Sequence, residues 1–224
     1  MFDFAQARQN MIQSQLQPNG VLDPRVLQAF NDVPRELFVP PPARSFCYAD
    51  QHIDLDGGRV LLAPMVLGRM IEEAQIDDRD RVLMVGGATG YGAAVVAMLA
   101  TAGHVTDQED DPRFEPIFQQ AMTAMGTQNI TRISGKGPAG GDGSGVGYDV
   151  VIIQAAVADV PNKWGAMLKP DGRMLIPINR DGGPVGDVHL FIKTAGGHVS
   201  SRALFDASVP YLPGYEPVQK FTLA

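Results

Sequence analysis

Cysteine, positive charge and long apolar runs are all scarce in this chain of 224 residues, and each scarcity excludes a kind of bond or a class of partner. The single cysteine, Cys47, cannot form an internal disulfide, and the sequence marks no general base that would activate it. We therefore expect an inert, semi-buried thiol. The first ten residues have neither the basic end nor the apolar stretch of a secretory signal, so the expected compartment is the reducing cytoplasm.

Charge and hydrophobicity narrow the choice of partners. Eighteen Lys and Arg residues against 25 Asp and Glu give a net charge of -7, which is the wrong sign for a protein that mainly grips a nucleic-acid backbone. Apolar residues make up 45% of the chain, enough for a sizeable core, but they form no run long enough to span a membrane. The four histidines show no metal-ligand spacing. We expect a globular protein with no nucleic-acid partner, no membrane partner and no metal, and the composition does not predict its oligomeric state.

Glycine and proline are abundant instead, with 25 and 17 residues. Prolines concentrate in a connector over residues 33–56, after a predicted amphipathic helix over 4–16 and a second helix that Asp23 caps at Pro24. Glycines concentrate in a turn over 86–92 and a loop over 135–147. We divide the chain into a helical and connector region, 1–75, and a core with a C-terminal tail, 76–224.

The core alternates strands and helices. After a helix over 64–74, the pattern predicts strands at 82–85, near 105, at 130–133 and at 150–153, with helices over 92–100 and 114–125. This order is typical of an α/β fold with a mostly parallel, doubly wound sheet. KPDGRMLIPI predicts a turn followed by a strand, and a late antiparallel hairpin is expected to turn at Gly196 and Gly197.

The segment VLMVGGATGYGAAVVAML predicts a buried strand, a turn of small residues and a helix. The dinucleotide spacing G-x-G-x-x-G is not met, whereas the shorter G-x-G-x-G spacing is met at Gly86 and Gly90 with Ala88 between them. A ligand-binding turn and a purely structural turn both fit this pattern. Glu109 lies where the next strand should end, in position to accept hydrogen bonds from ribose hydroxyls, although a solvated acidic cluster would look the same.

Six segments in order carry a family resemblance: GVLDPRVLQAF, VPRELFVP, CYAD, VLMVGGATGYGAAVVAML, YDVVIIQAA and LKPDGRMLIPI. Together they resemble the protein-L-isoaspartate (D-aspartate) O-methyltransferases, a repair family, from about residue 8 to 213. The resemblance implies a Rossmann-like methyltransferase fold with an N-terminal helical extension, S-adenosylmethionine as methyl donor, and isoaspartyl-containing proteins as partners. It implies that the donor is held by residues of the turn and of the following strands, and that three residues lie on the substrate side. The donor residues are Gly86, Ala88, Gly90, Glu109 and Lys136, and the substrate-side residues are Tyr48, Asp50 and Arg59.

The departures from the family pattern fall at the expected site. Val60 and Leu62 stand at two hydroxyl positions and Arg59 replaces a glutamine, while Met84 and Lys136 stand where the family has acids. We hypothesise that Arg59 pairs with the acceptor carboxylate; an exposed turn arginine is the alternative.

Three functions fit these residues. The first is methyl transfer to isoaspartyl carboxylates, which needs no general base because the carboxylate is already ionised. The second is a catalytically silent relative that serves as a binding or scaffold module. The third, prompted by Lys136, is binding of a more anionic nucleotide.

Overall fold

The computed structural model describes residues 2–135 and 146–218. The predicted helices and core strands occur in the predicted order, but a short strand pair within residues 53–61 was not predicted, and the first predicted helix continues as a π-helical turn over Ile12–Leu16. The helices are α1 (Phe4–Met11), α2 (Pro24–Asp32), α3 (Pro64–Ala74), α4 (Tyr91–Ala97) and α5 (Glu115–Met125). The strands are β1 (Ile53–Asp54), β2 (Val60–Leu61), β3 (Arg81–Val85), β4 (His104–Gln108), β5 (Ile130–Ile133), β6 (Tyr148–Ile153), β7 (Leu168–Ile178), β8 (Gly186–Lys193) and β9 (Val199–Ala207).

The main sheet has seven strands in the order β5-β4-β3-β6-β7-β8-β9. The first five of these run parallel, and β8 and β9 add an antiparallel pair at one edge, as predicted. Residues 82–85 of β3 are buried, which explains their continuous apolar run, because a parallel strand covered on both faces cannot alternate. The strand order turns back between β3 and β6, so a crevice is expected at their carboxyl ends.

The N-terminal helices pack on one another and on the core: α2 contacts α3 and α4, and α3 contacts β7. The Asp23 side chain accepts a hydrogen bond from the Arg25 backbone N–H, so the predicted cap of α2 is confirmed. Met11 and Phe30 belong to the same buried apolar cluster as Val82 of the central strand. The region 1–75 therefore shares its core with the rest of the chain, and its treatment as a separate unit stays a prediction.

The structure shifts one local prediction about the late strands and confirms another. The chain turns at KPDG inside β7 rather than before it: Leu168 already pairs with Tyr148, and the register shifts before Arg173 pairs with Val150. A bulge absorbs the extra residues, with Asp171 at a φ of 62°. The hairpin between β8 and β9 forms as predicted.

Two further points concern the described part of the chain. Its helices are too short or too polar to cross a lipid bilayer. The predicted glycine-rich loop lies largely outside the described residues, and so does Lys136.

Candidate functional site

The glycine turn joins β3 to α4 at the crevice. Gly86, Ala88 and Gly90 have φ angles of 73°, 50° and 88°, so the chain passes through the left-handed region three times in five residues. Only glycine enters this region without steric cost, which explains two of the three residue types. Ala88 adopts its positive φ angle at a steric cost, which indicates that the surrounding structure fixes the conformation of the turn. The predicted strand, turn and helix are therefore present.

Glu109 follows β4 and reaches the same turn. Its carboxylate is buried and accepts hydrogen bonds from the backbone N–H groups of Ala88 (2.8 Å), Asp110 (3.0 Å) and Asp111 (3.1 Å). A solvated acidic turn is thus the wrong interpretation for Glu109. The carboxylate lies against the turn, where the sequence predicts a ribose-binding acid.

The residue that faces Glu109 across the crevice is Arg59. Its side chain is 5% exposed, its Nη1 donates to Glu109 Oε1 at 2.7 Å, and its Nη2 pairs with Oε2. Asp110 Oδ1 lies 3.4 Å from Nη1. The two-pronged geometry matches a guanidinium to a carboxylate. Arg59 is therefore not an exposed turn arginine, and the carboxylate that it binds here belongs to the chain itself.

Other side chains cover the glycines of the turn. An added Cβ at Gly87 or Gly92 would overlap with the amide of Gln154, and one at Gly86 would lie 3.1 Å from Leu212 Cδ1. The cavity between Gly86 and Glu109 measures about 10 Å³. That volume holds about one water molecule. The close approaches that require glycine are made by the protein's own side chains.

This packing tests whether the implied donor fits. The backbone turn and the buried carboxylate suit a nucleoside, but the Arg59 guanidinium occupies the carboxylate and the space between Gly86 and Glu109 is small. A groove of about 520 Å³ opens on the other side of Glu109, lined by residues that include Phe118 and Ile133. A ribose could therefore bind the Glu109 carboxylate only after Arg59 had left it.

A second buried ion pair supports the turn from the other side, and sequence reasoning missed it. Arg132 on β5 donates from Nε to Asp107 Oδ2 at 2.9 Å and from Nη2 to the Ala88 carbonyl at 2.7 Å. Burial raises the pKa of the Asp107 carboxyl, although Arg132 acts against that shift. An arginine on a short edge strand gives no sequence signal of such a partner, because the two residues meet only across adjacent strands.

Two of the predicted substrate-side residues make hydrogen bonds within or next to the connector, and their substrate-side role stays a prediction. The buried Tyr48 hydroxyl accepts from Arg8 Nε (2.9 Å) and from the Arg35 backbone N–H (3.1 Å), and it donates to Glu36. Burial raises the pKa of Tyr48 well above its usual range. Asp50 Oδ1 accepts from the backbone N–H of Met65 at 3.2 Å, in the first turn of α3. Tyr48 is therefore held in a buried hydrogen-bond network.

The described residues at the family's hydroxyl and acid positions lie in or near the core. Leu62 and Met84 are buried in the large apolar cluster, and Val60 packs against its margin. The Leu62 carbonyl accepts from Arg35 Nη2 at 2.6 Å. Leu62 and Met84 therefore contribute packing, and the structure does not bring their side chains into the crevice with Glu109.

The strand order, the turn after β3 and the acid after β4 define a Rossmann-like methyltransferase fold. A model of the protein-L-isoaspartate(D-aspartate) O-methyltransferase family matches residues 6–215. The chain belongs to that family.

Individual relatives agree with this assignment. The protein-L-isoaspartate O-methyltransferase of Koribacter versatilis (strain Ellin345) is 33% identical over 219 residues, which span 96% of each chain. That of Roseiflexus sp. (strain RS-1) is 33% identical over 217 residues, or 95% of each chain.

Solved structures agree as well. One protein-L-isoaspartate O-methyltransferase superposes with a TM-score of 0.78 at 26% identity, over 93% of this chain and 66% of the other. A Plasmodium falciparum protein described by the same name, crystallised with S-adenosyl-L-homocysteine, has a TM-score of 0.74 at 16% identity, over 94% of this chain and 98% of its own. The second likeness concerns the fold alone.

Proposed function

We propose that the protein is an S-adenosylmethionine-dependent carboxyl methyltransferase that acts on isoaspartyl residues of damaged proteins. The observation that carries the proposal is the pairing of the glycine turn with Glu109, whose carboxylate is hydrogen-bonded to Ala88 within that turn. An acid at this strand end is the group that binds ribose hydroxyls in folds of this type. Membership of the family over nearly the whole chain supports the same activity. The single buried cysteine is in keeping with the cytoplasm as its compartment.

The chemistry asks little of the side chains. When bound, the donor supplies an electrophilic methyl group, and an isoaspartyl α-carboxylate is already ionised at neutral pH. The chain has to align acceptor and donor and keep water away, so no general base is required. A site without the hydroxyls that Val60 and Leu62 replace can still perform this reaction if the backbone orients the acceptor.

A second candidate is a catalytically silent binding module, and one observation favours it. Arg59 and Glu109 form a buried ion pair in the place where the donor would bind. A chain that never bound a nucleoside could keep such a pair for stability alone. The comparisons give no separate support to this candidate.

The experiment that decides between them measures binding and transfer together. Isothermal titration with S-adenosylmethionine and S-adenosylhomocysteine is followed by transfer of a labelled methyl group to an isoaspartyl peptide. The same peptide with an ordinary aspartyl residue is the control. We expect measurable binding and label on the isoaspartyl peptide alone. Binding without transfer to either peptide, or no binding at millimolar ligand, would refute the proposed activity.

A further inference from the structure

Arg59 is the residue that closes the donor crevice. It lies at the end of the turn between β1 and β2, where Asp56, Gly57 and Gly58 have φ angles of 68°, 64° and 76°. This turn projects the arginine side chain across the crevice to Glu109, 50 residues away in sequence. The ion pairs of the Arg59 guanidinium are with Glu109 and Asp110 and not with residues of β1 or β2.

The contacts of Glu109 leave little capacity for a ligand. Its Oε1 accepts from Arg59, Asp110 and Asp111, and its Oε2 accepts from Arg59 and Ala88. A carboxylate offers about four acceptor positions in total. Two ribose hydroxyls could bind Glu109 only in place of the two guanidinium contacts.

Because the guanidinium contacts and the ribose contacts exclude each other, we infer that Arg59 competes with the methyl donor for Glu109. Its guanidinium and the donor's ribose bind the same carboxylate, so the crevice is closed when Arg59 pairs with Glu109 and open when Arg59 leaves. The inference rests on the proposed donor site. It adds that this chain's own residue sets how tightly the donor binds.

A second carboxylate near Arg59 offers its guanidinium an alternative partner. Asp110 lies 3.4 Å from Nη1, and its side chain is 24% exposed whereas that of Glu109 is 1% exposed. A guanidinium displaced from Glu109 can therefore move outward and keep a carboxylate partner at the mouth of the crevice. An ion pair that is partly exposed costs less desolvation than a fully buried one, so the outward position is accessible.

The test compares the binding of S-adenosylhomocysteine to three purified proteins by isothermal titration. They are the unmodified chain, Arg59→Gln, which removes the competitor, and Arg113→Gln. Arg113 pairs with Asp111 beside the crevice, but its side chain is 55% exposed, so its removal changes the local charge without opening the cavity. We expect Arg59→Gln to bind at least tenfold more tightly than the other two.

Each other outcome has a separate meaning. Equal affinities in the unmodified chain and Arg59→Gln would overturn the competition and leave the proposed activity standing. A gain in Arg113→Gln as large as that in Arg59→Gln would also overturn it, because net charge would then suffice. If neither the unmodified chain nor Arg59→Gln binds, Arg59 is not what excludes the donor, and the proposed activity fails as well.

A second measurement protects the test in case Arg59→Gln does not fold. NMR signals of arginine guanidinium groups in the unmodified chain are followed while S-adenosylhomocysteine is added. We expect the Arg59 signal to change from slow to fast hydrogen exchange as the ligand binds. Ligand binding that leaves Arg59 protected would overturn the competition.

Discussion

The regions around Arg35 and Arg59 each bury a guanidinium, but they hold it in different ways. Arg35 donates to the carbonyls of Cys47 (2.7 Å) and Leu62 (2.6 Å), and its guanidinium lies 4.8 Å from the centre of the Tyr91 ring. Burial lowers the pKa of Arg35. Arg59 instead faces the carboxylate of Glu109.

The difference separates a structural arginine from an exchangeable one. The carbonyls of Cys47 and Leu62 belong to the main chain and cannot leave, so Arg35 joins these two segments in the folded protein. A side-chain carboxylate at the edge of a crevice can accept another donor of hydrogen bonds, so the contacts of Arg59 can be replaced. Burial and positive charge are alike in the two regions. The chemistry of the hydrogen-bond acceptor therefore determines whether the arginine can be displaced.

Removal of Arg35 should have the largest effect. Arg35→Ala leaves two buried carbonyls without a donor and creates a cavity, so we expect the free energy of unfolding to fall by about 4 kcal/mol. Urea unfolding measures the change. Arg35→Lys, which keeps the charge but not the forked geometry, should recover less than half of it. A loss below about 1 kcal/mol for Arg35→Ala would remove the contrast between the regions.

Breaking the Arg59 pair should cost less. Glu109→Gln removes the closest carboxylate from a buried cation and leaves it the partly exposed Asp110 at 3.4 Å, so we expect a loss of about 3 kcal/mol. In the double variant with Arg59→Gln, the loss should be smaller than the sum of the single losses by at least ~1 kcal/mol. Urea unfolding of all three variants measures the coupling. Asp110→Asn is the matched control, and additive losses would contradict the pairing.

Cys47 reports on the Arg35 region without any substitution. Burial raises the pKa of its thiol to about 11. At pH 8.5 we therefore expect alkylation by iodoacetamide to be roughly 100-fold slower in the folded protein than in urea. Because burial raises the folded-state pKa, the contribution of this thiol to the free energy of unfolding is fully present below the ordinary pKa of a thiol. That contribution is lost as the pH rises from there toward 11. Equal rates in the folded and unfolded protein would show that the connector opens readily.

The smallest effect is expected at an exposed pair. Arg202 lies 3.3 Å from Glu73, with side chains 63% and 38% exposed. Arg202→Gln should change the free energy of unfolding by less than about 0.5 kcal/mol, because solvent screens the pair. Thermal unfolding at two salt concentrations measures it. A loss comparable to that of Glu109→Gln would mean that burial does not distinguish these arginines.

Much of the fold was predictable because its signals are local. Asp23 before Pro24 marks a helix start, and the apolar run before Gly86 marks a buried parallel strand. The position of Glu109 also followed from the alternation of strands and helices. These inferences need only periodicity, capping and turn chemistry.

The state of the crevice was not predictable in the same way. Arg59 and Glu109 are 50 residues apart, and no local pattern joins them. The sequence showed that Arg59 departs from the family, but only the folded chain shows which carboxylate it meets. Arg132 and Asp107 are a similar case, since their pairing depends on the neighbouring positions of β4 and β5.

The packing of Gln154 affects how glycine-rich turns of this kind are interpreted. Its amide lies against Gly87 and Gly92, so a side chain at either position would have to displace Gln154. Mutation at either glycine is opposed by this contact whether or not any nucleotide is ever present. A descendant that had lost its ligand would therefore still be disfavoured from placing a side chain at either position. Small residues beside such a motif do not by themselves indicate a bound nucleotide.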